Sequence, residues 1–149
     1  MDELDYLILR ELQKDGSMSL TIIAKRLRVS IGTIRNRLTR LMEDKTVQII
    51  GRVDPDKVGF HSYARIFISV KPAKNIEPAA KKLSLFPEVS FLAMTSGDYD
   101  LEVDVMCKDN DSLVEFVNEL SKIDGVYQTK TTIYFKVYKY AQPDLNLLK

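Results

Sequence analysis

The chain has 149 residues, of which 45% are hydrophobic and 29% charged, and its formal net charge is +1. This composition suffices for a folded core and argues against intrinsic disorder, and no apolar run approaches the ~20 residues that cross a bilayer. One cysteine, Cys107, excludes an internal disulfide and a cysteine cluster for zinc. Because the acidic N-terminus also lacks the basic start of a signal peptide, we expect a cytoplasmic protein.

The charge is distributed unevenly along the chain. Residues 1–15 carry a net charge of −3 and residues 61–149 a net charge of −1. Residues 16–60 contain nine basic and four acidic side chains, a net charge of +5. This local basic segment, which the whole-chain charge conceals, indicates a possible surface for a polyanion.

Three short helices are predicted within residues 1–46. Apolar side chains recur at helical spacing over residues 4–12 and 20–27. Gly16 is a plausible end for the first helix, and Ser19 and Ser30 are candidate N-caps for the second and third. The third helix would turn four apolar side chains inward: Ile31, Ile34, Leu38 and Leu41. We assign residues 1–46 to a helix-turn-helix domain.

The pattern changes at Val47. Residues 47–61 predict a strand rich in β-branched side chains, followed by a linker that contains Pro55 and Gly59. From residue 62, strand-like and helix-like stretches alternate in the order β-α-β-β-α-β, and the last strand runs over residues 126–140. This order is the ferredoxin-like arrangement, an antiparallel sheet with helices on one face. The predicted fold class is α+β, with a ferredoxin-like domain over residues 62–149.

The third predicted helix has a polar face opposite its apolar face. Asn and Arg can each form paired hydrogen bonds with base edges, and short residues near the N-terminus of such a helix allow close approach to DNA. Ser30 and the first-turn N–H groups could bind a phosphate. The predicted DNA-binding residues are Lys25, Arg26, Arg28, Ser30, Gly32, Thr33, Arg35, Asn36 and Arg40.

A basic helix face is by itself often only solvated surface. Here the tight helix-turn-helix layout and the +5 segment favour a DNA interface. Arg37 lies close to the buried side of the helix, so we expect it to pair with Asp2 or Asp5 of the first helix instead.

At this point the chain resembles the Lrp/AsnC family of transcription regulators, over nearly all of its length. The similarity lies in "LDYLILRELQKDGSMSLTIIAKRLRVSIGTIRNRLTRL", then "VDPDKVG", then "SGDYD". The resemblance implies an N-terminal domain that binds double-stranded DNA. It also implies a C-terminal domain that forms homodimers and higher oligomers such as octamers, and that binds small effectors, usually amino acids. Lys45 stands near the place where the family usually has Gly, which puts the end of the third helix in question.

Four carboxylates occupy alternate positions in "SGDYDLEVDV": Asp98, Asp100, Glu102 and Asp104. Alternate residues of a strand lie about 7 Å apart on one face, so four in a row cannot surround one cation. Four equivalent carboxylates also lack the contrast in environment that acid–base catalysis requires. We therefore expect no catalytic residues, no metal and no cofactor.

Glu102 and Asp104 are expected on the open face of the sheet. In a ferredoxin-like sheet they would lie near Arg65 of the first strand, with Lys130 and Lys136 one strand further. This face mixes aromatic and charged side chains, which suits an interface between two copies of the chain.

Asp98 and Asp100 belong to a turn. A β-turn would explain them structurally, because Gly97 permits unusual backbone angles and the aspartates can cap N–H groups. The family resemblance implies instead that this turn lines an effector pocket between subunits. Asp100 would then receive an amino acid's ammonium, and backbone N–H groups its carboxylate. The predicted effector-binding residues are Thr95, Gly97, Asp98, Tyr99, Asp100 and Thr131.

The leading hypothesis is a sequence-specific, oligomeric transcription regulator whose assembly or DNA occupancy responds to an amino acid bound between subunits. Three alternatives remain at this stage. They are a DNA-compacting protein with little sequence preference, a metabolite-sensing module without DNA binding, and a carboxylate-metal enzyme.

Overall fold

The computed structural model describes residues 1–148, which form two units. The helical unit comprises Met1–Arg52 together with the chain from Tyr140, and the sheet unit comprises Val53–Lys139. This division differs from the predicted one, which placed residues 62–149 in one domain. The difference arises because the end of the chain makes its hydrogen bonds with residues of the helical unit.

The helical unit contains the three predicted helices: α1 (Glu3–Lys14), α2 (Leu20–Leu27) and α3 (Ile31–Glu43). Ser19 and Ser30 act as the predicted N-caps, since their side chains accept hydrogen bonds from the backbone N–H groups of Ile22 and Thr33. The small core is centred on three side chains without solvent exposure: Ile8, Ile23 and Ile34. Ile31, expected to face inward, is 40% exposed and does not belong to this core cluster.

The strand predicted within residues 47–61 is wrong, because residues 47–54 form no regular secondary structure. β-branched side chains favour an extended chain, but a strand also needs a neighbour to pair with. The sheet's four strands all lie further along the chain. A 3₁₀ turn at Pro55–Val58, closed by Gly59 at φ +99°, confirms the predicted turn in this segment. Lys45 adopts φ +60°, the left-handed conformation that usually favours glycine.

The end of the chain lies against α1. The Gln13 side chain donates to the carbonyl of Pro143 and accepts from the N–H of Leu145 at 3.2 Å. Arg52 donates to the carbonyl of Tyr140 at 2.6 Å and stacks its guanidinium 4.5 Å from the centre of that ring. These contacts attach residues 140–145 to the rest of the helical unit.

The sheet unit has the predicted β-α-β-β-α-β order. Its elements are β1 (Ser62–Val70), α4 (Ile76–Leu83), β2 (Val89–Met94), β3 (Leu101–Cys107), α5 (Asn110–Ser121) and β4 (Val126–Ile133). The antiparallel strands lie in the order β2-β3-β1-β4, so the ferredoxin-like prediction is confirmed. β4 ends at Ile133 rather than at residue 140. Ile133 pairs with Ala64, and the Tyr134 N–H still donates to the carbonyl of Tyr63 at 2.9 Å, but β1 begins at Ser62 and offers no strand to the residues that follow.

One face of the sheet is covered by the two helices. Ile66, Ile68 and Val103 are fully buried there, packed in one cluster with residues of α4 and α5. Gly125, before β4, adopts φ +89°, and a Cβ there would lie 2.8 Å from Asn75, so the connection requires glycine. In the part of the chain that the structure describes, no helix is long and apolar enough to cross a membrane.

Candidate functional site

The first turn of α3 is exposed and compact. The Ser30 hydroxyl accepts from the Thr33 N–H at 3.0 Å and lies 2.8 Å from the Thr33 hydroxyl. A Cβ on Gly32 would meet only this hydroxyl, at 3.7 Å, so the surface is open to a large partner. Ser30 thus caps α3, and its hydroxyl is engaged within the helix rather than free.

All the predicted DNA-binding residues except the half-buried Thr33 are exposed: Lys25, Arg26, Arg28, Ser30, Gly32, Arg35, Asn36 and Arg40. Asn36 borders a groove of about 310 Å³ on the polar face of α3, together with Thr33, Arg37 and Arg40. Helix α2 ends at Arg28, which takes the left-handed conformation at φ +56°. The structure therefore presents amide, guanidinium and hydroxyl groups along one exposed helix face, the donor set that reads base edges and phosphates.

A buried carboxylate lies behind this face. Asp5 of α1 is 1% exposed. It accepts hydrogen bonds from Arg37 at 3.1 Å and from Arg40 at 2.7 Å, and Arg37 also contacts Asp2. Burial alone would raise the pKa of Asp5, but the Asp2 N–H and the guanidinium of Arg37 outweigh it and hold that pKa below its usual range. The predicted pairing of Arg37 with Asp2 or Asp5 is confirmed.

A second acid of α1 has a similar role. Glu11, 8% exposed, accepts from Arg26 at 2.6 Å and from Lys14. Two of the predicted DNA-binding arginines, Arg26 and Arg40, are thus paired with α1, which the sequence analysis missed. A signal was present, because Asp5 shares the apolar face of α1 with Ile8 at helical spacing, an unusual place for a charge.

The turn between β2 and β3 is tied to β1. The Asp100 carboxylate accepts from the Val70 N–H at 2.8 Å, and the Asp100 N–H donates to the carbonyl of Ile68 at 3.0 Å. The Thr95 hydroxyl donates to the carbonyl of Tyr99 at 2.5 Å. Asp100 therefore has a structural role that uses one of its carboxylate oxygens.

The other predicted pocket residues are less constrained. Gly97 does not adopt a positive φ, so the expectation that it supplies unusual backbone angles is wrong. A Cβ at Gly97 would meet nothing within 4 Å, and Asp98 is exposed. Thr131 lies on β4 opposite Ile66, away from the turn, and is exposed at the sheet edge. The structure brings together Thr95, Tyr99 and Asp100 but leaves Thr131 apart.

Arg65 and Asp104 form the centre of the open sheet face. The Asp104 carboxylate accepts from Arg65 Nε at 2.9 Å, from Arg65 Nη2 at 3.0 Å and from the Tyr134 hydroxyl at 3.0 Å. Glu102 lies 3.6 Å from Arg65 Nη1. The hydrogen bonds with Asp104 raise the pKa of Arg65, and burial, followed by the bond to Asp104, raises the pKa of Tyr134. The predicted proximity of Arg65 to both acids is confirmed.

Lys130 lies one strand beyond Glu102, as predicted, because Phe67 of β1 is opposite both residues, whereas the prediction that Lys136 continues the same strand is wrong. Lys130 lies opposite Phe67, and Thr132 is the residue opposite Arg65. Lys136 lies beyond the end of β4, with its Nζ 5.0 Å from the centre of the Tyr138 ring. Among residues 1–148, neither lysine forms an ion pair with Glu102 or Asp104. Tyr134 makes the contact instead, and its position on the same strand face was the available signal.

Apolar side chains flank this polar network. Phe91 of β2 lies opposite Asp104 and is 48% exposed, and Phe67 of β1 lies opposite Glu102. An exposed sheet face with aromatic side chains around a charge-paired centre has the composition of a protein–protein interface. Within the described residues, no group of three or more His, Cys, Asp or Glu is arranged to hold a metal.

Two family models match the chain. Residues 1–42 match the AsnC-type helix-turn-helix domain, and residues 63–144 match the Lrp/AsnC ligand binding domain. An uncharacterised HTH-type transcriptional regulator of Pyrococcus horikoshii is 36% identical, over 94% of this chain and 89% of the relative. The HTH-type transcriptional regulator FL11 of Pyrococcus furiosus is also 36% identical, over 93% of this chain and 92% of the relative.

Two solved structures are similar over nearly the whole chain. Escherichia coli AsnC is 28% identical with a TM-score of 0.85, and the match covers 96% of this chain and 97% of that one. A transcriptional regulator of Neisseria meningitidis, determined as a complex with L-Met, is 25% identical with a TM-score of 0.86. That match covers 100% of this chain and 99% of the Neisseria chain.

Proposed function

Since the chain belongs to the Lrp/AsnC family of transcriptional regulators, we propose that it binds specific double-stranded DNA sequences through α3, and that an amino acid bound between subunits changes its assembly or DNA occupancy. The family and the named relatives are transcriptional regulators rather than enzymes. The exposed polar face of α3, with Asn36 at its centre, is the observation that carries the proposal.

Base recognition is assigned to the exposed side chains near the middle of α3. An asparagine such as Asn36 can form two hydrogen bonds with adenine, and Arg35 can do the same with guanine. Lys25 and Arg28 lie on and just after α2, which crosses the DNA backbone in helix-turn-helix complexes, so they are assigned to phosphates. The two kinds of contact differ in consequence, because only base contacts distinguish one sequence from another.

This assignment is tested by comparing Asn36→Ala with Lys25→Ala. Losing a paired base contact should lower affinity for a preferred duplex about tenfold or more and leave binding to random DNA nearly unchanged. Losing a phosphate contact should weaken both alike and reduce the salt dependence of binding by about one charge. Both are measured by fluorescence anisotropy, with Lys74→Ala in the sheet unit as the control, because Lys74 is also an exposed lysine.

The outcomes separate the competing functions. Equal losses on preferred and random duplexes for Asn36→Ala would favour a DNA-compacting protein. Failure of the wild-type chain to bind any duplex at low salt would favour a metabolite-sensing module and contradict the DNA-binding proposal.

The effector site is assigned to the turn that contains Asp100. The similar Neisseria protein was determined with L-Met, and the matched domain model describes ligand binding. One Asp100 oxygen accepts from Val70, which leaves the other oxygen to receive an ammonium. The space beside Gly97 is open, so a ligand carboxylate could approach the backbone N–H groups of the turn.

Because Asp100 also supports the turn, the informative variant is Asp100→Asn. Its amide oxygen can still accept from the Val70 N–H, while the charge that an ammonium needs is removed. We expect Asp100→Asn to remain close to wild-type in stability and to lose the thermal shift with amino acids. Asp100→Ala should lose the thermal shift and also be less stable than wild-type, because the buried Val70 N–H is left without an acceptor at a cost of about 1–3 kcal/mol.

A thermal-shift screen of the twenty amino acids on wild-type chain provides the probe. The hit is then titrated against both variants, and the size of the assembly is measured with and without it. A full response retained by Asp100→Asn would contradict the assignment of the ammonium to Asp100.

Dimerisation is assigned to the open sheet face. Its aromatic side chains surround the Arg65–Asp104 pair, an arrangement that suits association and defines a register. A symmetric dimer would present two α3 helices to half-sites about one helical turn apart. Such dimers could assemble further into octamers. An effector bound between subunits would change DNA occupancy if it binds one assembly state more tightly than the other.

A further inference from the structure

Helix α1 supplies the buried acid that holds two arginines of α3. Both oxygens of the Asp5 carboxylate are engaged. One accepts from Arg37 at 3.1 Å, and the other accepts from the Asp2 N–H at 3.0 Å and from Arg40 at 2.7 Å. A carboxylate that is 1% exposed needs such partners, because a buried charge without them is very costly. The position of Arg40 is therefore coupled to α1.

Arg40 differs from Arg37 in what it presents to solvent. The Arg37 side chain is 28% exposed and has two acidic partners, Asp2 and Asp5. The Arg40 side chain is 56% exposed and forms its ion pair only with Asp5 among the described residues. A guanidinium has five N–H donors in a rigid fork, so Arg40 keeps donors that no acid of α1 occupies.

The location of Arg40 indicates what these donors could bind. It lies one helical turn after Asn36 and lines the same groove. In DNA complexes of three-helix domains, the N-terminal and central residues of the recognition helix read bases, and its C-terminal end contacts the backbone. Arg40 is in the last turn of α3, where a phosphate rather than a base is the expected partner.

We propose that Asp5 is a positioning residue for DNA binding, which holds the Arg40 guanidinium so that its free donors bind a backbone phosphate beside the bases read by Asn36. This inference rests on the proposed function. In the bound state Arg40 bridges Asp5 and the phosphate. Because Asp5 restricts the long Arg40 side chain before DNA arrives, less side-chain entropy is lost on binding.

The pair formed by Glu11 and Arg26 provides a matched control. It also joins a largely buried acid of α1 to an exposed arginine, at 2.6 Å, but on α2 and without contact with Arg40. If Asp5 acts only by stabilising the helical unit, Glu11→Gln and Asp5→Asn should behave alike. If Asp5 acts through Arg40, only Asp5→Asn should depend on whether Arg40 is present.

The test is a double-mutant cycle on the full chain. DNA affinity is measured for Asp5→Asn, Arg40→Gln and the double variant, on the duplex that wild-type chain enriches from a random pool. Arg40→Gln and Asp5→Asn should each lower affinity about tenfold, as expected for one charge-assisted hydrogen bond. The double variant should be about tenfold weaker rather than about a hundredfold, because both changes remove the same contact.

The control cycle of Glu11→Gln with Arg40→Gln should be additive. Thermal unfolding of every variant is recorded, and affinities are corrected to the folded fraction. Additive losses in the Asp5 cycle would overturn the inference. So would unchanged or tighter binding by Asp5→Asn, since Asp5 would then compete with phosphates for Arg40.

If Asp5→Asn does not fold, Arg40→Lys tests whether Arg40 bridges Asp5 and a phosphate. A lysine keeps the charge but cannot bridge two anions as a planar fork, so its affinity should fall nearly as far as that of Arg40→Gln. Wild-type affinity in Arg40→Lys would overturn the inference. If no duplex is enriched, sequence-specific binding is wrong, and the same cycle on a mixed-sequence duplex at low salt still decides whether Asp5 acts through Arg40.

Discussion

Replacing Asp104 by alanine should destabilise the sheet unit and weaken self-association. The change removes three hydrogen bonds on the open face, two from Arg65 and one from Tyr134. It leaves the Arg65 guanidinium with only Glu102, at 3.6 Å, and the Tyr134 hydroxyl without its acceptor. The neighbouring Glu102→Ala is the matched control, because it removes an equal charge from the same face of the same strand.

The size of the effect follows from the geometry and the exposure. Hydrogen bonds to charged groups contribute about 1.5–3 kcal/mol when well shielded. Since the side chains of Arg65 and Asp104 are 35% and 27% exposed, water screens part of this, and we expect a loss of about 1.5 kcal/mol. The sheet unit spans 87 residues, with an unfolding entropy of about 0.18 kcal/mol/K, so Tm should fall by about 8 °C. Glu102→Ala should cost about 0.5 kcal/mol or less.

Thermal unfolding followed by circular dichroism, at several protein concentrations, measures the first effect. Sedimentation velocity measures the weakening of self-association. If the open face is the dimer interface, an Arg65 buried there without its two hydrogen bonds to Asp104 should raise the dimer dissociation constant about thirtyfold or more. Equal Tm values for the two variants would refute the network's role in stability. An unchanged dissociation constant for Asp104→Ala would refute the placement of the interface.

Three further predictions concern the two units separately. The pKa values of Asp5 and Glu11 lie below their ordinary 3.8 and 4.5, so these carboxylates stabilise the folded helical unit above their ordinary pKa values, and that stabilisation is lost as pH falls through the lowered ones. Asp5→Asn should therefore make the free energy of unfolding of the helical unit depend less steeply on pH between pH 5 and 2. An unchanged slope would contradict this prediction. Gly125→Ala should cost about 2 kcal/mol or more because its Cβ meets Asn75, whereas Gly97→Ala should stay within about 0.5 kcal/mol in a urea titration. Lys45→Gly should raise the unfolding free energy by about 0.5–1 kcal/mol, because φ +60° strains any residue with a Cβ; a loss of stability would show that the Lys45 side chain contributes contacts.

The order of the elements could be predicted because each helix and strand carries its own apolar period. The prediction of a strand within residues 47–61 was wrong, because a strand needs a neighbouring strand to pair with, and no local pattern specifies that neighbour. The predicted end of β4 was wrong for the same reason. Its β-branched and aromatic residues continue to residue 140, but β1 begins at Ser62, so pairing stops soon after the hydrogen bond from Tyr134 to Tyr63.

Among the site residues, too, local patterns predicted some pairings, while others depend on how the elements pack together. Arg37 with Asp5 and Arg65 with Asp104 could be predicted because a helical wheel or a known strand order places both partners. The pairing of Arg40 with Asp5 needs the packing of α1 against α3, which periodicity does not give. Tyr134 was not predicted as a partner of Asp104, because the strand order places β4 two strands from β3 but does not give the β1–β4 register that brings the Tyr134 hydroxyl to that carboxylate.

The contacts of residues 140–145 with Gln13 and Arg52 make the helical unit discontinuous in sequence. In the order of the chain, the sheet unit is an insertion of 87 residues between Arg52 and Tyr140, and the hydrogen bond between these two residues joins the ends of the insertion. A fragment cut after Arg52 would lack the partners of Gln13 and Arg52. A chain in which residue 52 is joined through a short linker to residue 140 would keep them, and would be the better minimal DNA-binding protein.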